Sequence, residues 1–72
     1  KHGVDLADVA AFDWDTSKER ADIRHDYGET RVRALGLIDE RVHVLIYVQR
    51  GPAKRVVSLR KANRREIGEW LL

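Results

Sequence analysis

The sequence of 72 residues contains no cysteine, a single proline and no long hydrophobic run. Without cysteine the chain has no disulfide framework, no thiolate metal site and no cysteine nucleophile, and it fits a reducing compartment. No hydrophobic run approaches the length of a transmembrane helix, and no signal peptide is recognisable. We therefore expect one small cytoplasmic domain, without disulfides, that is stabilised by a partner or by a second copy of itself.

Two kinds of cofactor site are also missing from the sequence. No group of histidine, cysteine and aspartate residues has the spacing of a metal site, and no glycine-rich loop precedes a helix as a nucleotide cradle does. We expect neither a metal ion nor an organic cofactor.

Charged residues make up 36% of the chain and are unevenly distributed, although the formal net charge is only +2. Eight of the twelve acidic residues lie in the first 29 positions, and the C-terminal half is correspondingly basic. Such asymmetry favours contact with nucleic acid through the basic half. The alternative is that the charges only keep a small domain in solution.

The first part of the chain predicts a short helix and an apolar anchor. Asp5 is a suitable N-cap for a helix over 6–11, where apolar residues recur at helical spacing. Phe12 and Trp14 follow, and we expect them to pack against a sheet or against the last helix. The polar stretch 16–26 fits a loop, a turn of helix or an edge strand equally well.

Three strands are predicted in the middle of the chain, over 30–38, 42–48 and 54–59. A two-residue turn joins the first pair and a hairpin loop around Gly51-Pro52 joins the second pair. Alternation predicts which side chains share a face of the sheet. In the first strand one face carries Val32, Ala34 and Ile38, and the other carries Arg31, Arg33, Leu35 and Leu37. In the second strand one face carries Val42, Val44, Ile46 and Val48, and the other carries His43, Leu45 and Tyr47. The expected class is α+β, a three-stranded antiparallel meander with a possible fourth edge strand and a helix at either end.

The last stretch, 54–72, predicts a strand that passes through a basic turn into an amphipathic helix. Val57 and Leu59 are expected to share one face of the strand. A helix beginning near Leu59 would carry two basic stripes, one with Arg60 and Arg64 and the other with Lys61 and Arg65. Ile67, Trp70 and Leu71 follow at helical spacing as the residues that the helix buries.

The order of short motifs gives a more specific indication. From position 1 to about position 70 the chain reads KHGV, FDWD, RHDYGETR, ALGLID, HVLIY and VSLRKANRRE. This ordered set resembles the BrnT family of type II toxin–antitoxin toxins. The resemblance implies a RelE-like fold and a metal-independent ribonuclease that cleaves RNA and blocks protein synthesis. It also implies a cognate, BrnA-like antitoxin with a DNA-binding region, which neutralises the toxin and represses their shared operon.

Three features depart from the family pattern. Members usually carry a strand and a helix ahead of KHGV, so we expect a chain that is short at its N-terminus, with an open sheet edge through which a homodimer could form. Tyr47 is followed by Val48-Gln49, where Thr or Ser is common after the aromatic residue. Trp70 stands where the final helix commonly has Tyr.

The resemblance places the expected catalytic residues in two motifs: Arg60, Lys61 and Arg64 in the last one, with Glu29 and Arg31 from YGETR. Arginine suits a crowded phosphorane because its planar fork bonds two phosphate oxygens and stays charged. Glu29 is the expected base for the ribose 2′-hydroxyl, and Lys61 is a less favoured acid. RNA-binding residues are expected at Arg65, Arg50, Arg55 and Tyr47, and the Arg64→Ala variant is expected to lose most cleavage.

Each of these residues also has an ordinary structural interpretation. The basic cluster fits a solvated helix face or a docking surface for an acidic antitoxin, and Glu29 with Arg31 fits a local ion pair. Tyr47 fits a core tyrosine. His43 fits a histidine that packs on the sheet with one ring nitrogen satisfied by a hydrogen bond, and His25 is the best catalytic candidate among the histidines. A binding module for RNA or antitoxin, without catalysis, is therefore the alternative function.

Overall fold

The computed structural model describes residues 4–22 and 29–72. Within them lie two helices and four strands: α1 (Leu6–Ala11), β1 (Asp13–Asp22), β2 (Arg31–Ile38), β3 (Arg41–Arg50), β4 (Ala53–Lys61) and α2 (Arg64–Leu71). The strands form one antiparallel sheet in the order β1-β2-β3-β4. This confirms the predicted α+β class with its fourth strand. His25 and residues 23–26 of the ambiguous polar stretch lie outside the described residues.

The predicted N-terminal helix is confirmed, and its cap explains where it starts. The Asp5 carboxylate accepts a hydrogen bond from the backbone N–H of Ala7 at 2.8 Å, which satisfies one of the free donors of the first turn. The helix ends at Phe12, whose backbone is extended. Phe12 then packs on the sheet directly above Gly36, where an added Cβ would lie 2.7 Å from its Cζ atom.

Two small cores lie on the two sides of the sheet. One side buries Phe12, Ala34, Ile38, Leu45 and Tyr47, with Trp14 beside them, and we call it the aromatic side. The other side buries Leu35, Val42 and Val44, and Trp70 of α2 packs against them. These groups confirm the faces predicted for β2 and β3, which follow the two-residue period of a strand.

The prediction that Val57 and Leu59 share a face of β4 is wrong. Ile46 pairs with Ser58 but Tyr47 pairs with Val56, so Val57 is an extra residue in a β-bulge. The bulge reverses the alternation, and Val56 packs with Leu59 on the aromatic side. Alternation alone could not reveal it, because valines stand at both positions.

The predicted start of the last helix near Leu59 is also wrong. Arg60 and Lys61 belong to β4, where they pair with Val44 and His43 of β3. The helix begins at Arg64 because Asn63 caps it: the Asn63 side chain accepts from the Glu66 N–H, and the Glu66 carboxylate accepts from the Asn63 N–H. The two continuous basic stripes therefore do not exist.

The structure also corrects the buried face of α2. Trp70 is half-buried and its indole N–H donates to the Thr16 carbonyl at 2.9 Å. Ile67 and Leu71 are exposed, whereas Glu66 is buried. With six and eight residues, the two helices of the described chain are too short to span a bilayer.

Candidate functional site

Arginine is concentrated on the side of the sheet that α2 partly covers. Residues paired across antiparallel strands point to the same side, so the register shows which side chains lie together. Arg31 and Arg55 both pair with Val48, and Arg20 pairs with Arg33. Among the described residues, we call the following arginines the arginine face: Arg20, Arg31, Arg33, Arg50, Arg55 and Arg60.

Four predicted site residues meet in one groove at the end of this face. Glu29, Arg31, Arg50 and Arg55 line a space of about 410 Å³, and the valines at 48, 56 and 57 form its remaining walls. We call it the arginine groove. The Glu29 carboxylate lies 3.6 Å from Nε of Arg31 and 3.3 Å from a terminal nitrogen of Arg50. No hydrogen bond or ion pair within the described residues engages the Arg55 side chain, so its guanidinium is available to an anion.

A second polar cluster lies where α2 begins. Arg60 donates two hydrogen bonds to the Glu66 carboxylate, at 2.8 and 2.7 Å, and Arg33 donates a third at 3.0 Å. Arg33 also pairs with Glu69 at 3.2 Å. The hydrogen bonds from Arg60 lower the pKa of Glu66 to about 2 although its burial acts in the opposite direction. Arg60 is therefore engaged in holding α2 on the sheet.

The remaining predicted residues lie apart from the groove. Lys61, Arg64 and Arg65 are exposed, and within the described residues no ion pair or hydrogen bond engages their side chains. Lys61 pairs with His43, which places it on the aromatic side of the sheet. Lys61 lies six positions after Arg55 along β4, which corresponds to roughly 18–20 Å of extended chain. The expected site is thus divided, and Lys61 does not share a site with Glu29.

The family model of the ribonuclease toxin, BrnT, of type II toxin–antitoxin systems matches residues 1–66. The chain belongs to this family. Membership identifies it as a ribonuclease toxin, with RNA as its substrate class and an antitoxin protein as its partner. Comparisons with curated proteins and with solved structures returned no match.

Tyr47 is a buried residue of the core. The side chain is 4% exposed, and its hydroxyl donates to Glu19 at 2.6 Å. Its ring packs edge-on against Trp14 at 5.8 Å, and the Lys54 ammonium lies over both rings. Burial and the bond to Glu19 raise the pKa of Tyr47 to about 12. These contacts favour the core interpretation of Tyr47 over base stacking.

His43 also agrees with its structural interpretation. Its Nδ1 atom lies 2.8 Å from the Arg41 carbonyl oxygen, so one ring nitrogen is satisfied locally. Among residues 4–22 and 29–72, no three side chains of the histidine, cysteine, aspartate and glutamate types gather in a way that could hold a metal ion.

Sequence reasoning missed the roles of Arg33 and Glu66. Both roles had a signal in the sequence. Glu66 follows Asn63 by three positions, which is the spacing of a capping box. Arg33 lies two positions after Arg31 and therefore on the same face of β2. Their pairing joins residues 33 positions apart, and it depends on how α2 docks on the sheet. Local patterns contain no information on that docking.

Proposed function

We propose that this chain cleaves RNA without a metal ion, by attack of a ribose 2′-hydroxyl on the adjacent phosphorus, in the arginine groove. Cleavage of messenger RNA by this route would block translation. The observation that supports the proposal is the meeting of Glu29, Arg31, Arg50 and Arg55 around one open space.

The charges of the groove suit a phosphodiester. Three guanidinium groups and one carboxylate line the groove, so the groove has an excess of positive charge. The Cα atoms of Arg31 and Arg55 lie two strands apart, about 10 Å, and their side chains can reach the same phosphate from opposite sides. Arginine binds two phosphate oxygens at once, and the added negative charge of the phosphorane strengthens this binding. These cations provide the electrostatic stabilisation that a metal ion provides in other nucleases.

Glu29 is the proposed base. Its side chain is one-third exposed, so a ribose can approach it from the open groove. The carboxylate takes the proton of the 2′-hydroxyl, the resulting oxygen attacks phosphorus, and the bond from phosphorus to the 5′-oxygen breaks. The leaving 5′-oxygen takes a proton from water. The products are a 2′,3′-cyclic phosphate and a 5′-hydroxyl end.

The other predicted catalytic residues receive different roles in this proposal. Arg60 is a positioning residue, because its guanidinium is held by Glu66. Lys61 and Arg64 lie outside the groove and take no chemical step, and Arg65 has no contact with it. The variant Arg64→Ala should then keep most cleavage, in contrast to the expectation from the sequence.

The test is cleavage of a short single-stranded RNA by the purified chain in EDTA. We expect Glu29→Gln to lower the rate by about 10²–10⁴-fold and Arg50→Ala by about 10²-fold. The matched control is Arg41→Ala, which removes the same charge roughly 30 Å away at the other end of β3. A substrate with 2′-deoxyribose at the cleavage position should resist the parent chain.

Each part of the proposal can fail separately. Cleavage that needs added Mg²⁺ would overturn metal independence, and cleavage of the deoxy substrate would overturn attack by the 2′-hydroxyl. Full activity of Glu29→Gln and Arg50→Ala, with loss in Arg64→Ala, would move the site to the start of α2. RNA that is bound but never cut would favour the alternative, a binding module.

We further propose that the partner is a BrnA-like antitoxin with a DNA-binding region, as the family implies. The predicted homodimer stays a prediction. β1 and β4 are the outer strands of the described sheet. Two copies of β4 would place lysines and arginines of like charge side by side, which disfavours pairing there.

A further inference from the structure

In helix α2 the acidic side chains, not the aliphatic ones, face the sheet. The helix turns the carboxylates of Glu66 and Glu69 towards the sheet, where Arg33 and Arg60 bind them. Its aliphatic residues remain exposed to solvent. Ile67 is 37% exposed and Leu71 is 70% exposed. A surface helix normally buries its apolar stripe and exposes its charges, so this arrangement needs an explanation.

The exposed residues form a continuous stripe along the helix. Arg64, Ile67, Gly68 and Leu71 stand at positions i, i+3, i+4 and i+7, and Leu72 extends the stripe with 93% exposure. We call this set the α2 stripe. A Cβ atom added at Gly68 would have no neighbour within 4 Å. The missing side chain leaves a shallow gap in which another backbone can come close to the helix.

Contacts outside the stripe hold α2 in place. Hydrogen bonds through Glu66, Glu69 and Trp70 already attach α2 to the sheet. Aliphatic side chains left in water have a free-energy cost, which is recovered when another surface covers them. A second surface is therefore expected over Ile67 and Leu71.

The charge next to the stripe indicates the character of that surface. Arg64 belongs to the stripe and Arg65 borders it, and within the described residues neither side chain has a charged partner. Both sit in the first turn of α2, where the helix dipole disfavours cations. An acidic partner would relieve this repulsion.

We propose that the α2 stripe is a docking surface for the antitoxin, and that it receives an acidic segment with one apolar face. This goes beyond the ribonuclease proposal and rests only on family membership, which supplies the antitoxin as partner. Two other occupants fit less well. RNA has no aliphatic surface to cover Ile67 and Leu71, and a second copy of the chain would oppose arginines to arginines.

The test uses the antitoxin from the same operon and the full toxin chain. Calorimetry measures its affinity for the parent, for Ile67→Ser/Leu71→Ser, and for Leu6→Ser. Leu6 is the matched control because it is 81% exposed on α1, which leads into Phe12 on the opposite, aromatic side. We expect the double variant to bind about 100-fold more weakly or worse and the Leu6 variant to bind as the parent does.

A charge-reversal variant tests the acidic character of the segment. Arg64→Glu/Arg65→Glu places acids in the first turn, where the dipole favours them, so the helix keeps its stability. We expect at least about tenfold weaker binding at low salt, and a smaller difference from the parent at high salt. Thermal melting of each variant verifies its fold.

Unchanged affinity of the folded aliphatic double variant would overturn the proposal. So would sedimentation that shows the parent as a dimer and this variant as a monomer, since the stripe would then serve a second copy. RNA cleavage by the free double variant should equal that of the parent. Cleavage by Glu29→Gln and Arg50→Ala decides the groove mechanism, and the affinity of the stripe variants for the antitoxin decides the docking surface. The two proposals are therefore tested independently.

Discussion

Arg60 and Glu66 join the end of β4 to the first turn of α2 through two hydrogen bonds of 2.8 and 2.7 Å. The same carboxylate accepts from Arg33 on β2 and from the backbone of Asn63. Glu66 is 3% exposed, so this carboxylate is a buried charge satisfied by four hydrogen bonds. The sequence that looked most like a catalytic motif thus contains the main attachment of α2 to the sheet.

The first prediction concerns removal of this carboxylate. Glu66→Ala leaves Arg33 and Arg60 without their common acceptor and removes half of the capping box, so we expect a loss of about 3 kcal/mol in the free energy of unfolding. Glu69→Ala is the control, since the Glu69 side chain is 42% exposed and, among residues 4–22 and 29–72, pairs with Arg33 alone. It should cost less than about 1 kcal/mol. Urea denaturation measures both. Equal, small losses would show that the cluster does not hold the helix.

The second prediction is a dependence of stability on pH. The pKa of Glu66 is about 2 in the folded chain, below its ordinary value of 4.5. Because the folded value is the lower one, the stabilisation is complete above about pH 4.5 and is lost as the pH falls towards 2. The contribution is roughly 2–3 kcal/mol once solvent screening of the half-exposed Arg60 is considered. The difference in melting temperature between the parent and Glu66→Gln should become smaller from pH 6 to pH 4 and again to pH 3. A difference that stays constant would contradict the assignment.

The third prediction compares two glycines. Gly36→Ala would place a Cβ atom 2.7 Å from the ring of Phe12, which must shift, and we expect a loss of about 1–3 kcal/mol. Gly68→Ala meets nothing within 4 Å and replaces glycine inside a helix, so it should stabilise the fold by about 0.5–1 kcal/mol. Chemical denaturation of the two variants should therefore give changes of opposite sign. A neutral result at Gly36 would show that Phe12 does not pack there.

The fourth prediction concerns the hydroxyl of Tyr47. Its pKa of about 12 in the folded chain lies above the ordinary value of 10, because the ring is buried and the hydroxyl donates to Glu19. The stabilisation is present below pH 10 and is lost as the pH rises towards 12. Tyr47→Phe should cost about 1 kcal/mol at pH 7 and lose less stability above pH 10 than the parent. The tyrosinate absorbance of the parent minus the variant reports the titration directly, and a midpoint near 10 would contradict the buried bond.

The sequence was sufficient for the meander because its strands have one dominant signal. In β2 and β3 the apolar residues alternate or run continuously, and hairpin turns at 39–40 and 51–52 fix the pairing. Asp39 and Glu40 even adopt positive φ angles of 49° and 67°, which a two-residue hairpin of this kind requires. Local chemistry and register agree there, so the prediction holds.

The C-terminal part was harder to predict because two local signals compete. The spacing of residues 60–71 matched a basic, amphipathic helix, but Arg60 and Lys61 pair with β3 as part of strand β4. The capping box at Asn63 and Glu66 was present in the sequence and marks the true boundary. The groove, by contrast, unites side chains from β2, β3 and β4 with Glu29, which lies two positions before β2, and only the register of the sheet brings them together.

The last prediction tests the β-bulge that reverses β4. Val57 is the extra residue between the pairs Ile46–Ser58 and Tyr47–Val56, so deleting it restores a regular ladder and leaves the partners on either side unchanged. We expect the deletion to cost less than about 2 kcal/mol. Deleting Ile46 from the regular β3 is the control, since it turns all following side chains to the wrong side and should unfold the domain. If β4 were a regular strand, removal of Val57 would be as damaging as removal of Ile46, and melting curves of the two deletion variants distinguish these outcomes.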